Sequence, residues 1–263
     1  MNERTADHIG ATQTSFDVLR TLQEIGPARL TDVADHLDLA ESTTHRHLNT
    51  LREMRYVSKT GDRYQVGLRL ARLGQAAQSR DQAFRMVRPH VRRLAEETEE
   101  RAIFVAEDHG LGVYIHVETG EKAVRIRTDV GRQVHLHCSS LGKAILSQYD
   151  RDRVEEIFDR WGMPAHTDHT ITDREEHYGE LDRVRERGYA ISRQEHIEGI
   201  NAAAVPITVD GDVIGSLGIS GPSHRLNDDR LETELPELLL VSANELELNI
   251  TYELDDRADH LVE

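Results

Sequence analysis

Apolar residues recur at helical spacing along 14–25, where Phe16, Leu19, Leu22 and Ile25 mark a helix that Gly26-Pro27 ends. A shorter helix is expected over 31–37, capped by Thr31, with Val33, Ala34 and Leu37 turned inward. After a tight connection at 38–42, a third helix over 42–54 sends Leu48 and Leu51 inward. Its polar face carries Thr43, Thr44, His45, Arg46, His47 and Asn49. Two short strands, 56–58 and 63–66, then flank a turn at Gly61-Asp62. Three short helices followed by a small hairpin spell a winged helix-turn-helix. In such units the helix after the tight turn enters the major groove of DNA.

Further helices are expected over 68–78 (Leu70, Leu73 and Ala77 on one side) and 82–98 (Phe84, Val87, Val91 and Leu94, with Pro89 inside). The pattern then turns to strands at 101–108 and 112–119 around His109-Gly110, and again at 123–128. Helices follow at 140–149, 153–161 and 174–188, the last ended by Gly188. Strands at 199–210 and 212–221 meet at Asp210-Gly211. A final helix at 229–251 has Pro236 in its first turns. The expected layout is a two-domain α/β chain: a DNA-binding domain over 1–67, a linker helix over 68–80, and a mixed α/β domain over 81–263.

Charge sharpens this picture. The 263 residues carry a formal net charge of -16, and only Lys59, Lys122 and Lys143 are lysines against 29 arginines. A strong acidic excess is a means of staying soluble in high salt, so a halophilic source is expected. Yet residues 1–75 hold ten acidic and ten basic side chains. The window 42–72 holds seven basic residues (Arg46, Arg52, Arg55, Lys59, Arg63, Arg69, Arg72) against Glu53 and Asp62. A local basic patch is what phosphate contact requires. The lone Cys138 permits no internal disulfide, and neither a long apolar run nor a secretory leader is present, so a cytoplasmic protein without a membrane anchor is expected.

The order and spacing of several segments resemble the IclR family of bacterial and archaeal transcription regulators, and the acidity suggests a haloarchaeal type. The stretch LTDVADHLDLAESTTHRHLNTLREMRYVSKTGDRYQVGLRLARLG carries one part, with Ser42, Thr43, Arg46 and Leu48 standing where the family has its recognition helix. SLGKAIL, TITD, RERGYAISRQEHIEGINAAAVPI and VIGSLGISGP carry the other. The resemblance implies a GAF-like effector-binding domain and a homodimer, often paired into a tetramer. It also implies double-stranded operator DNA as partner, genes of carbon-compound catabolism as targets, and a small sugar-derived or organic acid as effector.

Ser42, Thr43, Thr44, His45, Arg46 and Asn49 are the candidates to meet DNA from the helix, and Lys59 and Arg63 from the hairpin tip. Arg46 stands first among them, for phosphate or for base. The effector candidates, placed on the family pattern, are Ser139, Ser140, Glu195, Asn201, Ala203, Gly218 and Ser220. The helix start at Ser140 offers free N–H groups to an anion. The run Ala202-Ala203-Ala204 departs from the polar residue the family often shows there.

His135, His137 and Cys138 offer imidazole and thiolate, which suit zinc, or else a packed histidine pair lining the pocket. On a strand, the two histidines would share a face and Cys138 take the other. No metal is assigned, because the spacing is short and no second cysteine group exists. No cofactor is expected. Glycine-rich nucleotide loops, H-E-x-x-H and G-x-S-x-G are all missing, so an enzyme is not expected. A signalling protein whose winged helix binds protein is the other class, and the basic window speaks against it.

Overall fold

The computed structural model describes residues 9–124 and 129–260. The chain divides into two compact units, 1–77 and 78–263. The first contains α1 (Gly10–Ile25), β1 (Ala28–Arg29), α2 (Leu30–His36), α3 (Glu41–Glu53), β2 (Val57–Thr60) and β3 (Arg63–Val66), and α4 (Arg69–Gln78) runs up to the division. The strands form an antiparallel sheet in the order β1-β3-β2. Val18, Leu22, Val33, Leu48, Leu51, Val57 and Tyr64 make the core.

One expectation fails here. Thr31 does not cap α2; the helix starts a residue earlier, and the Asp32 carboxylate accepts the Arg29 backbone N–H at 2.8 Å. Phe16 and Ile25 do not face the core but are exposed. The inward stripe of α1 is Val18, Thr21 and Leu22 instead.

The second unit is a helix–sheet–helix sandwich. Its elements are α5 (Gln82–Thr98), β4 (Arg101–Asp108), β5 (Leu111–Thr119), β6 (Gln133–His135), α6 (Ser140–Leu146), α7 (Arg151–Trp161), α8 (Arg174–Arg187), β7 (Ala190–Arg193), β8 (Ile200–Val209), β9 (Asp212–Pro222) and α9 (Leu235–His260). All pairs of the six-stranded sheet are antiparallel, in the order β6-β5-β4-β9-β8-β7. One face packs Phe104, Ala203, Val205 and Leu217 against Phe84, Val87 and Val91 of α5 and Leu235, Leu239 and Leu246 of α9. The other packs Ile103, Val105 and Ala204 against Leu141 and Ile145 of α6, Phe158 of α7 and Leu181 of α8.

The turn at Asp210-Gly211 has both residues at positive φ, 53° and 89°, as a two-residue hairpin of matching twist needs. Before α9, Leu235 N–H reaches back to Arg230 C=O in a wide turn over Arg230–Glu234. Pro236 lacks an N–H, so a regular α-helical ladder would be interrupted at this point. The short strands β6 and β7 were not foreseen from the pattern. Of the strand expected over 123–128, Ala123 and Val124 lie in no strand, and 125–128 lie outside the described residues.

Candidate functional site

On α3 the side chains of Ser42, His45 and Arg46 are exposed, while Thr43 and Asn49 are half-buried. Asn49 Nδ2 meets the His45 ring at 3.2 Å, which aligns the two along one helix face. Thr44 does not belong to this face. It is fully buried, and its hydroxyl donates to Ala40 C=O one turn back. His47 turns toward α1, its Nδ1 2.9 Å from Ser15 Oγ. Lys59 and Arg63 stand exposed on the two strands of the hairpin. Lys59 sits over the Tyr64 ring, and Arg63 donates to Pro27 C=O at 2.9 Å. Beside this face, Phe16, Leu19, Met54, Leu70 and Leu73 line an open apolar groove of about 660 Å³ between α1, α3 and α4.

In the second unit a row of four residues crosses four adjacent strands. Arg101 of β4 pairs with Ser220 of β9, Ser220 with Ala202 of β8, and Ala202 with Ser192 of β7. All four line a small cavity of about 50 Å³, closed by Ser139, Ser140 and Leu141 at the start of α6 and by Tyr114 and His196. One water takes roughly 10–15 Å³ of such space, so the room suits a small molecule. Arg101 is buried, and burial draws its pKa down, helped by nearby Arg132. Its Nη2 and the Ser140 hydroxyl are buried with no hydrogen-bond partner among the described residues.

Of the residues expected to meet an effector, Ser139, Ser140 and Ser220 line this cavity and the other four do not. Ala203 lies in the core on the α5–α9 side, because alternate strand residues point to opposite faces. Its neighbour Ala202 is the one that opens space in the cavity. Gly218 is a packing position, where an added Cβ would lie 2.9 Å from Leu141 Cδ2 and Ala204 Cβ. Asn201 Nδ2 is held by Leu226 C=O at 2.8 Å.

Glu195 is taken up by Lys143, whose ammonium donates to its two oxygens at 2.7 and 2.9 Å and lies 3.6 Å from Glu180. All three side chains are buried. Burial holds the Glu195 carboxyl above its usual range against the pull of Lys143. At Glu180 burial is outweighed by Lys143 together with Arg183 and Arg187, and its carboxyl falls below that range.

The start of α6 is less open to an anion than the pattern implied. The Ser139 hydroxyl already accepts from Gly142 N–H, and the Ser139 carbonyl from Lys143 N–H. Arg101, Tyr114, Ser192 and His196 were missed. A buried arginine at a strand end carries no signal in composition or spacing.

His135, His137 and Cys138 do not alternate as on a strand. β6 stops at His135, and Leu136–Cys138 forms one tight 3₁₀ turn that buries both His137 and Cys138. His166, His177 and His196 come to the same place. His166 Nε2 lies 3.3 Å from His135 Nδ1, and His196 Nδ1 lies 3.4 Å from Cys138 Sγ. His177 Nε2 lies 3.0 Å from His137 C=O. Burial lowers the pKa of His137, His177 and His196 to about 4 and raises that of the Cys138 thiol to about 12.

Residues 12–61 match the model of the IclR helix-turn-helix domain, and 75–248 that of the bacterial transcriptional regulator IclR C-terminal domain. The chain is 30% identical to the HTH-type transcriptional regulator KdgR of Escherichia coli, over 95% of this chain and 96% of that protein. It is also 30% identical to the acetate operon repressor of Salmonella typhimurium, over 93% of this chain and 92% of that one. The crystal structure of IclR from Thermotoga maritima superposes with a TM-score of 0.79 at 24% identity, covering 93% of this chain and all of that one. No described helix is long and apolar enough to cross a membrane. Together, the helix-turn-helix, the cavity on the six-stranded sheet and the two family matches lead to one conclusion: the chain belongs to the IclR family of transcriptional regulators, which are not enzymes and which act as dimers on operator DNA under control of a small-molecule effector.

Proposed function

We propose that this regulator is controlled by a small organic acid whose carboxylate is received by Arg101, Ser140 and Ser220, and that it governs genes of carbon-compound catabolism. The observation that carries the reading is the buried Arg101 guanidinium, whose Nη2 has no hydrogen-bond partner among the described residues, in the same cavity as the likewise unpartnered Ser140 hydroxyl. A buried charge without a hydrogen-bonded counter-charge is costly, and an incoming anion relieves that cost. The similarity to a protein named for the acetate operon supports the same class of ligand.

The winged helix-turn-helix reads the operator through Ser42, Thr43, His45, Arg46 and Asn49 of α3, with Lys59 and Arg63 of the hairpin on phosphates. The apolar groove along α1 and α4 supports pairing of two such units into the dimer. The GAF-like description of the second unit and the halophilic, haloarchaeal type belong to this proposal. The second rests on the net charge of -16 and the scarcity of lysine.

Thermal denaturation of the full chain with a panel of short carboxylates and their neutral amides tests the effector class. Carboxylates alone should raise the midpoint, and the Arg101→Met variant should not respond. An equal response to the amides, or an unaltered response in Arg101→Met, overturns the assignment.

A further inference from the structure

His137, Cys138 and His166 each present one ligand atom, and these atoms all lie within 4.8 Å of one another. We infer that the three residues form a binding site for zinc, with His196 in reach as a fourth ligand.

The chemistry of the donor set selects the ion. Imidazole and thiolate together favour zinc over magnesium or calcium, which take oxygen. Bonds of about 2.0–2.3 Å in a tetrahedron put ligand atoms roughly 3.3–3.7 Å apart. The cluster therefore needs to close by about an ångström, which rotation of the exposed His166 side chain can supply.

The surroundings hold the ligands as a metal site would require. His137 Nε2 lies 3.0 Å from the carbonyl of Pro164, which can only accept. That bond fixes the tautomer and leaves Nδ1 as the lone-pair nitrogen, the arrangement typical of ligating histidines. His166 reaches the cluster on a loop that two threonine hydroxyls tie to the segment bearing His196. Thr167 Oγ1 donates to Gln194 C=O at 2.7 Å, and Thr170 Oγ1 to Glu195 C=O at 2.6 Å. Thr170 Oγ1 also accepts the His166 backbone N–H at 3.0 Å. Cys138 Sγ, 3.4 Å from His196 Nδ1, would release its proton to solvent on binding the ion. His196 lines the effector cavity as well, so the ion would share a wall with that cavity. Binding of the ion requires no particular effector there.

The full chain, stripped with a chelator and dialysed, can be titrated with cobalt(II) as a spectroscopic stand-in for zinc. One ion per chain should bind, with the visible bands of tetrahedral cobalt and a near-ultraviolet thiolate-to-cobalt band. Cys138→Ser should lose the near-ultraviolet band. Because Cys138 is fully buried and its replacement perturbs the core, His166→Ala, altered at an exposed position, provides the second arm and should weaken binding at least tenfold. Zinc should displace cobalt from the wild type. Absence of saturable tetrahedral bands in the wild type overturns the site, as does a His166→Ala titration indistinguishable from it.

Discussion

Arg101 and Ser220 face each other across the β4–β9 pair, and the buried guanidinium of Arg101 keeps its Nη2 free of any hydrogen-bond partner among the described residues. Replacing such a charge by an apolar side chain of similar length is neutral or stabilising in the absence of a ligand. Arg101→Met is therefore expected to leave ligand-free stability unchanged or to raise it by up to about 2 kcal/mol. Urea denaturation checks this. A loss of several kcal/mol would mean that Arg101 is held by the protein itself rather than waiting for an anion.

Lys143 should behave in the opposite way. Its ammonium neutralises two buried carboxylates, Glu195 and Glu180. Lys143→Met strands Glu195, while Glu180 keeps Arg183 and Arg187, at a cost of about 3–5 kcal/mol. The Lys143→Met/Glu195→Gln double variant should recover part of that loss. Denaturation midpoints of the single and double variants measure the coupling.

Much of this architecture was legible in the sequence, and the misses share physical causes. The α5 stripe Phe84, Val87, Val91 and Leu94 was readable because a long amphipathic helix repeats its signal several times. β6 and β7, at three and four residues, are too short to show a period. Thr44 looks like a surface residue in the sequence because polarity usually means exposure, whereas its hydroxyl is satisfied by its own helix. Ala203 and Ala202 differ by one position, and on a strand that decides the face. His166 joins His137 and Cys138 through the tertiary fold alone, and no local spacing announces it.

Acid should destabilise the second unit. Burial lowers the pKa of His90, with Arg93 beside it adding to the effect and Glu245 opposing it. It also lowers that of His116, whose Nε2 faces Phe84 C=O and whose ring lies near Arg88 and Glu118. A histidine with a folded pKa below its unfolded value of 6.5 binds its proton more readily once unfolded. Stability is then fully present above that value and declines as pH falls through it toward the folded pKa. Denaturation at pH 7.5 and pH 5 should show the decline. A His90→Asn/His116→Asn variant should show a shallower one.

The apolar groove of the first unit predicts a dimer-breaking substitution. Leu73 is about half exposed and lines the groove with Phe16 and Met54. Leu73→Glu places a charge on this surface without disturbing a core contact. Sedimentation should show a weakened dimer, and DNA affinity should fall at least tenfold, because a paired half-site contact is lost.

We propose that α3 carries DNA recognition in this regulator, with exposed Arg46 at its centre. The most direct measurement is the affinity of wild-type and Arg46→Ala chains for a genomic fragment selected by the wild type, at matched salt. Sedimentation should accompany it to confirm that both chains are dimers. Arg46→Ala should lose at least tenfold in affinity with the dimer intact. Equal affinity of the two chains, or a wild type that selects no fragment, would contradict it.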